Sequence, residues 1–176
     1  QRMKSDFKLK ESKFLKGVYS FTSSTSEDKR GYIWTSFDNN LKKVLPETII
    51  FEHDKFSFSK KNVLRGLHYD NKTWKLISCP YGKLFFVVVN CNSNSKDYLK
   101  YKSWILDQKK NIQILVPPMF ANGHLCLSDS CLFHYKLSYK GKYFDIDKQK
   151  VLKWNDVRVK IKWPIKSKPI MSKRDE

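Results

Sequence analysis

The sequence predicts an all-β fold. Three observations carry this: short runs of β-branched and aromatic residues recur along the chain, apolar and polar residues alternate within several of them, and Gly, Pro, Asn and Ser clusters fall between them. Strands of this length and spacing imply a sandwich or a barrel, because each presents an apolar face that only a second sheet covers.

The elements follow in chain order. A short helix fits residues 40–45, ending before Pro46. Residues 63–69 form a mostly apolar, strand-like segment holding Arg65, Gly66 and His68. Residues 83–90 are a β-branched and aromatic run too short for a helix, and residues 111–116 alternate and stop at Pro117-Pro118. Residues 131–139 give another strand. Residues 157–163 alternate strictly, apolar against basic, which predicts a last strand with one wet face ending at Pro164. Turn signals lie at Pro80-Tyr81-Gly82, residues 92–95, Asn122-Gly123 and residues 140–142. The polar tail after Trp163 either wraps the body or frays. No repeat or linker interrupts the pattern, so 1–176 reads as one domain, with Gln1-Arg2 ahead of Met3 expected to be an added remnant.

The formal net charge is +18, from 35 Lys+Arg against 17 Asp+Glu. Such a surplus raises nucleic acid as a partner. The lysines are scattered rather than clustered and no nucleic-acid-binding signature accompanies them, so a solvated basic surface is expected, one that also draws a small diphosphate ligand. Cys79, Cys91, Cys126 and Cys131 show no CxxC spacing. They are expected to be reduced and mostly buried, in a cytoplasmic protein. No apolar run approaches the roughly 18–20 residues that span a bilayer, so no membrane is expected.

Several residues are candidates for chemistry. His68 in an apolar strand is either a satisfied core residue or a base. Arg65 in the same strand needs a partner or an anion. Strict alternation places residues three apart on opposite faces, so Arg65 and His68 share a site only if Gly66 opens a bulge between them. The four histidines show neither HxH nor HExxH spacing, and no metal is expected. Tyr135 is either part of an aromatic core stripe or a phenol acting as general acid, its ordinary pKa of about 10 keeping the proton at neutral pH. Asp156 is either a turn residue or the partner that orients a histidine.

Read together, Val63 to Tyr69, Lys75-Leu76, Tyr81-Gly82-Lys83, Val116 to Gly123, Tyr135-Lys136, Trp154-Asn155-Asp156 and Trp163-Pro164 fall in one order. This set resembles the dTDP-4-dehydrorhamnose 3,5-epimerase family, over about residues 14 to 175. Arg30-Gly31 with Phe37 is similar to that family's early Arg-Gly-aromatic strand. The resemblance implies a cupin-type jelly roll (double-stranded β-helix) with a few short helices, no cofactor, and a homodimer that exchanges an N-terminal strand. It implies proton removal beside a 4-keto group. His68 matches the base, Asp156 its dyad partner, Tyr135 the acid on the other face and Lys75 the cation near the keto oxygen. Arg30, Arg65 and Asn155 match residues that hold the sugar nucleotide.

Three departures stand out, the first two at positions that help hold the nucleotide. Thr35 stands where the family commonly has glutamate, His53-Asp54-Lys55 where it has Gln-x-Asn, and Asn122 where it has histidine. Thr35, His53, Lys55 and Asn122 are therefore further binding candidates. The stretch 135–143 and His53 to Phe56 look closer to a branch acting on GDP-4-keto-heptoses for bacterial capsules. The expected substrate is accordingly a GDP-linked 4-keto heptose. The alternatives are a dTDP-linked 4-keto hexose, a 3,4-ketoisomerase on the same scaffold, or a non-catalytic jelly-roll module binding glycans or nucleic acid.

Overall fold

A computed structural model describes residues 6–45 and 49–176. The expectations for Gln1-Arg2 and for Pro46 lie outside the described residues. Among the described residues thirteen strands are present: β1 Phe7–Glu11, β2 Tyr19–Ser23, β3 Thr25–Asp28, β4 Gly31–Trp34, β5 His53–Lys60, β6 Leu64–Tyr69, β7 Trp74–Tyr81, β8 Lys83–Asn90, β9 Tyr101–Asp107, β10 Ile112–Val116, β11 Phe120–Cys126, β12 Ser130–Ser138 and β13 Lys150–Val151. They form a six-stranded sheet in the order β1-β2-β10-β7-β12-β5, a five-stranded sheet in the order β13-β6-β11-β8-β9, and a separate β3-β4 hairpin. All pairings between these strands are antiparallel. This is the jelly roll of the cupins.

Alternation along the strands builds the layers. On β7 and β12, Lys75 faces Leu137 and Ile77 faces Tyr135 across the ladder, while Leu76 and Lys136 point the other way. The inner faces of both sheets meet in a core holding Ile77, Phe86, Val88, Ile114 and Phe133. The outer face of the six-stranded sheet is covered by helix α1, Asn39–Val44, through Leu41 against Phe21, Leu76 and Leu115. Asp38 caps this helix by accepting from the Asn40 and Leu41 amides. All four cysteines are free and buried.

The predicted last strand is not a strand. Residues 157–163 run from a turn at Asp156, whose carbonyl accepts from Val159 and Lys160 at 3.1 Å each, and Lys160 takes a positive φ of 57°. The alternation still sorts the faces: Val159, Ile161 and Trp163 pack on the outside of the five-stranded sheet with Val87 and Val89. Apolar spacing thus fixed burial, but among the described residues no ladder partner is present to make a strand. The tail wraps the body: Ile170 donates to Asn62 O at 2.9 Å and accepts from Leu64 at 3.0 Å. No helix among the described residues is long and apolar enough to cross a membrane.

Candidate active site

The Arg65-Gly66-Leu67-His68 segment needs a bulge, and one is present. β11 pairs with β6 through Asn122↔His68 and His124↔Arg65, so three steps on β6 match two on β11. Gly66 makes this possible. Its φ is +107°, and a Cβ there would stand 2.7 Å from Asn122 O and 2.8 Å from Gly123 Cα. Arg65 and His68 consequently share the wall of one cavity of about 650 Å³, with Lys55, Lys75, Asn122 and Tyr135.

His68 is oriented by a carboxylate, but not by Asp156. Its Nε2 lies 2.6 Å from Asp175 Oδ1, and Asp175 Oδ2 accepts from the Gly66 amide at 3.1 Å. Burial works to raise the Asp175 pKa, yet these bonds and the Arg174 charge outweigh it and hold the carboxylate below its ordinary value. A carboxylate accepts, so in the tautomer that carries its proton on Nε2 the ring donates to Asp175 and Nδ1 holds the lone pair. The Arg174 guanidinium lies against the same ring, 2.6 Å from Nε2 and 3.2 Å from Nδ1, and donates to Ile146 O at 3.0 Å. Asp156 instead accepts from the Arg158 amide at 2.9 Å and from its guanidinium at 3.0 and 2.7 Å, which lowers its pKa. Its turn sits outside the cavity, so the turn-residue reading is the correct one.

Across the cavity, Tyr135 on β12 is half-buried and burial pushes its phenol up, which keeps it protonated. Lys75 on β7 is buried, and its pKa is lowered to about 8 by burial, with Asp70 opposing and Lys55 reinforcing the fall. Arg65 donates to Ser59 Oγ at 2.9 Å and Phe58 O at 3.1 Å. Asn122 donates to His68 O at 3.2 Å and fixes the base strand.

Residues 139–149 close one side. Tyr143, Asp145, Ile146 and Gln149 line the cavity, and Lys55 Nζ stands 3.5 Å from Asp145 Oδ1 and 4.9 Å from the Tyr143 ring centroid. Lys72 holds this segment from behind, donating to Lys140 O at 2.9 Å and to Lys142 O, with its Nζ 3.8 Å from the centroid of Phe144. Burial raises the Tyr143 pKa to about 12.

Other candidates fall elsewhere. His53 is outside the cavity lining, with Nδ1 3.0 Å from the Tyr139 hydroxyl and its ring 4.9 Å from that of Tyr143. Asn155 is exposed in the turn before Asp156. Arg30 sits at the tip of the β3-β4 hairpin, paired with Asp28 and 84% exposed, and Thr35 follows the same hairpin; neither lines this chain's cavity. Asp175 and Arg174 were not singled out in the sequence. The signal available was weak: an Arg-Asp pair in a polar tail. Among the described residues no group of three or more His, Cys, Asp or Glu side chains is placed to hold a metal ion.

The sequence model of the dTDP-4-dehydrorhamnose 3,5-epimerase family matches residues 12–176. A dTDP-4-dehydrorhamnose 3,5-epimerase of Escherichia coli is 35% identical over 153 residues, covering 85% of this chain and 81% of the relative. A solved dTDP-6-deoxy-D-glucose-3,5-epimerase of Legionella pneumophila, in complex with dTDP-4-keto-L-rhamnose, superposes with a TM-score of 0.89 at 27% identity, covering 97% of this chain and 90% of the other. A Bacillus anthracis dTDP-4-dehydrorhamnose 3,5-epimerase with TDP and PPi bound gives 0.88 at 28% identity, covering 97% of each.

Proposed function

We propose that this chain, which belongs to the dTDP-4-dehydrorhamnose 3,5-epimerase family, inverts C3, C5 or both in a nucleotide-linked 4-keto sugar through an enolate. It is an isomerase. One observation carries the mechanism: the His68–Asp175 pair, at 2.6 Å, shares a cavity with Tyr135 and Lys75.

The 4-keto group acidifies the hydrogens on its neighbouring carbons. His68 Nδ1 takes one of them, and Asp175 steadies the imidazolium that results. Negative charge then gathers on the 4-oxygen. Lys75, held in a low-dielectric site and protonated below about pH 8, stabilises that charge. Tyr135 returns a proton from the opposite face, which inverts the carbon. Arg65 serves the diphosphate. Its planar fork suits phosphate oxygens, and its neighbours Ser59 and Phe58 orient it.

For the nucleotide, the relatives' names and the ligands of the Legionella and Bacillus structures support a dTDP-linked 4-keto hexose first. A GDP-linked 4-keto heptose is the second reading, and Asp145 at the cavity wall favours it. A carboxylate accepts paired donors, and the guanine edge offers two side by side where thymine offers one. We also propose a homodimer. Arg30 lies at the tip of an exposed hairpin and Thr35 just after it, neither lining its own chain's cavity, a position suited to a second copy's site.

The test is incubation in heavy water with dTDP-4-keto-6-deoxyglucose and, separately, with a GDP-4-keto-heptose. Deuterium is expected at C3 or C5. His68→Asn abolishes it. Tyr135→Phe retains exchange and loses inversion, because forming the enolate needs the base more than the acid. No incorporation with either substrate sinks the proposal, and migration of the keto group instead identifies a ketoisomerase.

A further inference from the structure

The cavity wall holds a second histidine that the proposed reaction leaves idle. His124 on β11 stands across the ladder from Arg65 and from Phe86. It lines the cavity, is 3% exposed, and stacks on Phe133 with centroids 4.1 Å apart and planes 14° from parallel. Its Nε2 is enclosed and has no hydrogen-bond partner among the described residues.

Buried polar atoms are nearly always paired, so an unpaired one on a residue that lines a ligand cavity calls for a cause. Packing is not the cause: phenylalanine would stack on Phe133 equally well and bring no orphan nitrogen. Burial, then the charges of Arg65 and His68, push the imidazole pKa down to about 3, so the ring is neutral at working pH. A neutral imidazole both donates and accepts, unlike the neighbouring Arg65 and Lys75, which only donate. Those cations already answer a diphosphate or an enolate oxygen. What matches a donor-acceptor group is another donor-acceptor group, a sugar hydroxyl. A half-turn about Cβ–Cγ keeps the stack and exchanges the edges on which the nitrogens lie.

We propose that His124 is a substrate-contact residue that hydrogen-bonds a hydroxyl of the sugar and so helps to select the sugar. This rests on the nucleotide-sugar reading above. The contact discriminates for a physical reason. A site built to pair a hydroxyl disfavours a sugar lacking it, because the buried nitrogen is then left orphaned.

The experiment compares calorimetric binding of dTDP with dTDP-glucose, and of GDP with GDP-mannose, to the full chain. The gain from adding the sugar is read for wild type, His124→Phe and His124→Gln. His124→Phe is expected to bind the bare diphosphate like wild type and to lose roughly two- to tenfold of the sugar's contribution, the size of one neutral hydrogen bond. His124→Gln, which keeps a donor and an acceptor, regains part of it. In wild type, the His124 ring nitrogen resonances shift with dTDP-glucose and not with dTDP. Equal sugar contributions in wild type and His124→Phe, or identical ring shifts with both ligands, overturn the proposal. If wild type binds neither diphosphate, the nucleotide-sugar reading itself falls and takes this role with it.

Discussion

The Nε2 of His68 lies 2.6 Å from Asp175 Oδ1, and the other oxygen of that carboxylate is held by the Gly66 amide at 3.1 Å. The glycine that opens the bulge for the base therefore also anchors the base's partner. Asp175 is 3% exposed, so its charge is felt at short range in a poorly screened setting. Replacing it with Asn removes the charge that stabilises the imidazolium and lets the wrong tautomer form. Asp175→Asn is expected to lower turnover by roughly 10²–10⁴, the range of a general-base contribution. Asp156→Asn touches only its own turn and should leave turnover within about twofold. Steady-state rates and deuterium wash-in of both variants decide it. Equal loss in the two would restore the turn aspartate as the partner.

How much of this was legible in the sequence depended on the distance over which each signal acts. The strands at 83–90 and 131–139, the helix near Leu41 and the bulge at Gly66 are local or periodic features, and they appear where patterning placed them. His68, Tyr135, Lys75, Arg65 and Asn122, all within the ordered motifs, share the cavity, and Lys55, a departure from the family pattern, joins them. The partner of His68 lies outside those motifs. Asp156 follows the motif Trp154-Asn155 and has the right chemistry, but Arg158 two residues on captures it. Asp175 is brought to the site by tail pairing at Ile170, a contact between distant segments that no local pattern encodes. Residues 157–163 failed differently: alternation reports which side is buried, not whether a neighbouring ladder exists.

Lys75 gives a pH dependence of opposite sign in rate and stability. Its pKa falls from 10.5 to about 8 on folding, chiefly from burial. Between those values the unfolded chain binds more protons than the native one, so this group makes stability rise with pH from about 8 to 10.5 and penalises folding below 8. The penalty is on the order of 3 kcal/mol. The catalytic cation, however, is lost as pH rises through about 8. Activity should decline above that pH while Tm does not follow it down through this group. Lys75→Met should raise Tm at pH 7 and cost roughly 10²–10³ in kcat. A variant that loses stability at pH 7, or an alkaline limb unchanged in its residual activity, would refute the assignment.

Gly66→Ala probes the bulge itself. The methyl would meet the Asn122 carbonyl at 2.7 Å in a backbone with φ of +107°. Both strands there are paired, so neither can give way cheaply. The expected cost is about 2–5 kcal/mol, from strain and overpacking together. Gly141→Ala is the control: φ is +72°, but nothing lies within 4 Å, and only about 1 kcal/mol is expected. Chemical denaturation measures both. Should Gly66→Ala still fold, His68 will be displaced from Asp175, and turnover falls further than stability explains.

The hairpin residues separate a shared site from a self-contained one. Arg30 is exposed and, among the described residues, is held by Asp28, and it does not line the cavity of its own chain. If it serves the site of a second copy, Arg30→Ala and His68→Asn injure different sites in a mixed dimer. The Arg30→Ala chain keeps its own base and receives an intact Arg30 from its partner, while the other site stays dead. Mixing the two inactive variants under exchange should then restore about one quarter of wild-type activity, since half the dimers are mixed and each mixed dimer has one working site. Activity that only averages the two parents after full exchange would place Arg30 outside any partner's site. Mass measurement of the exchanged dimers keeps that outcome distinct from failure to mix.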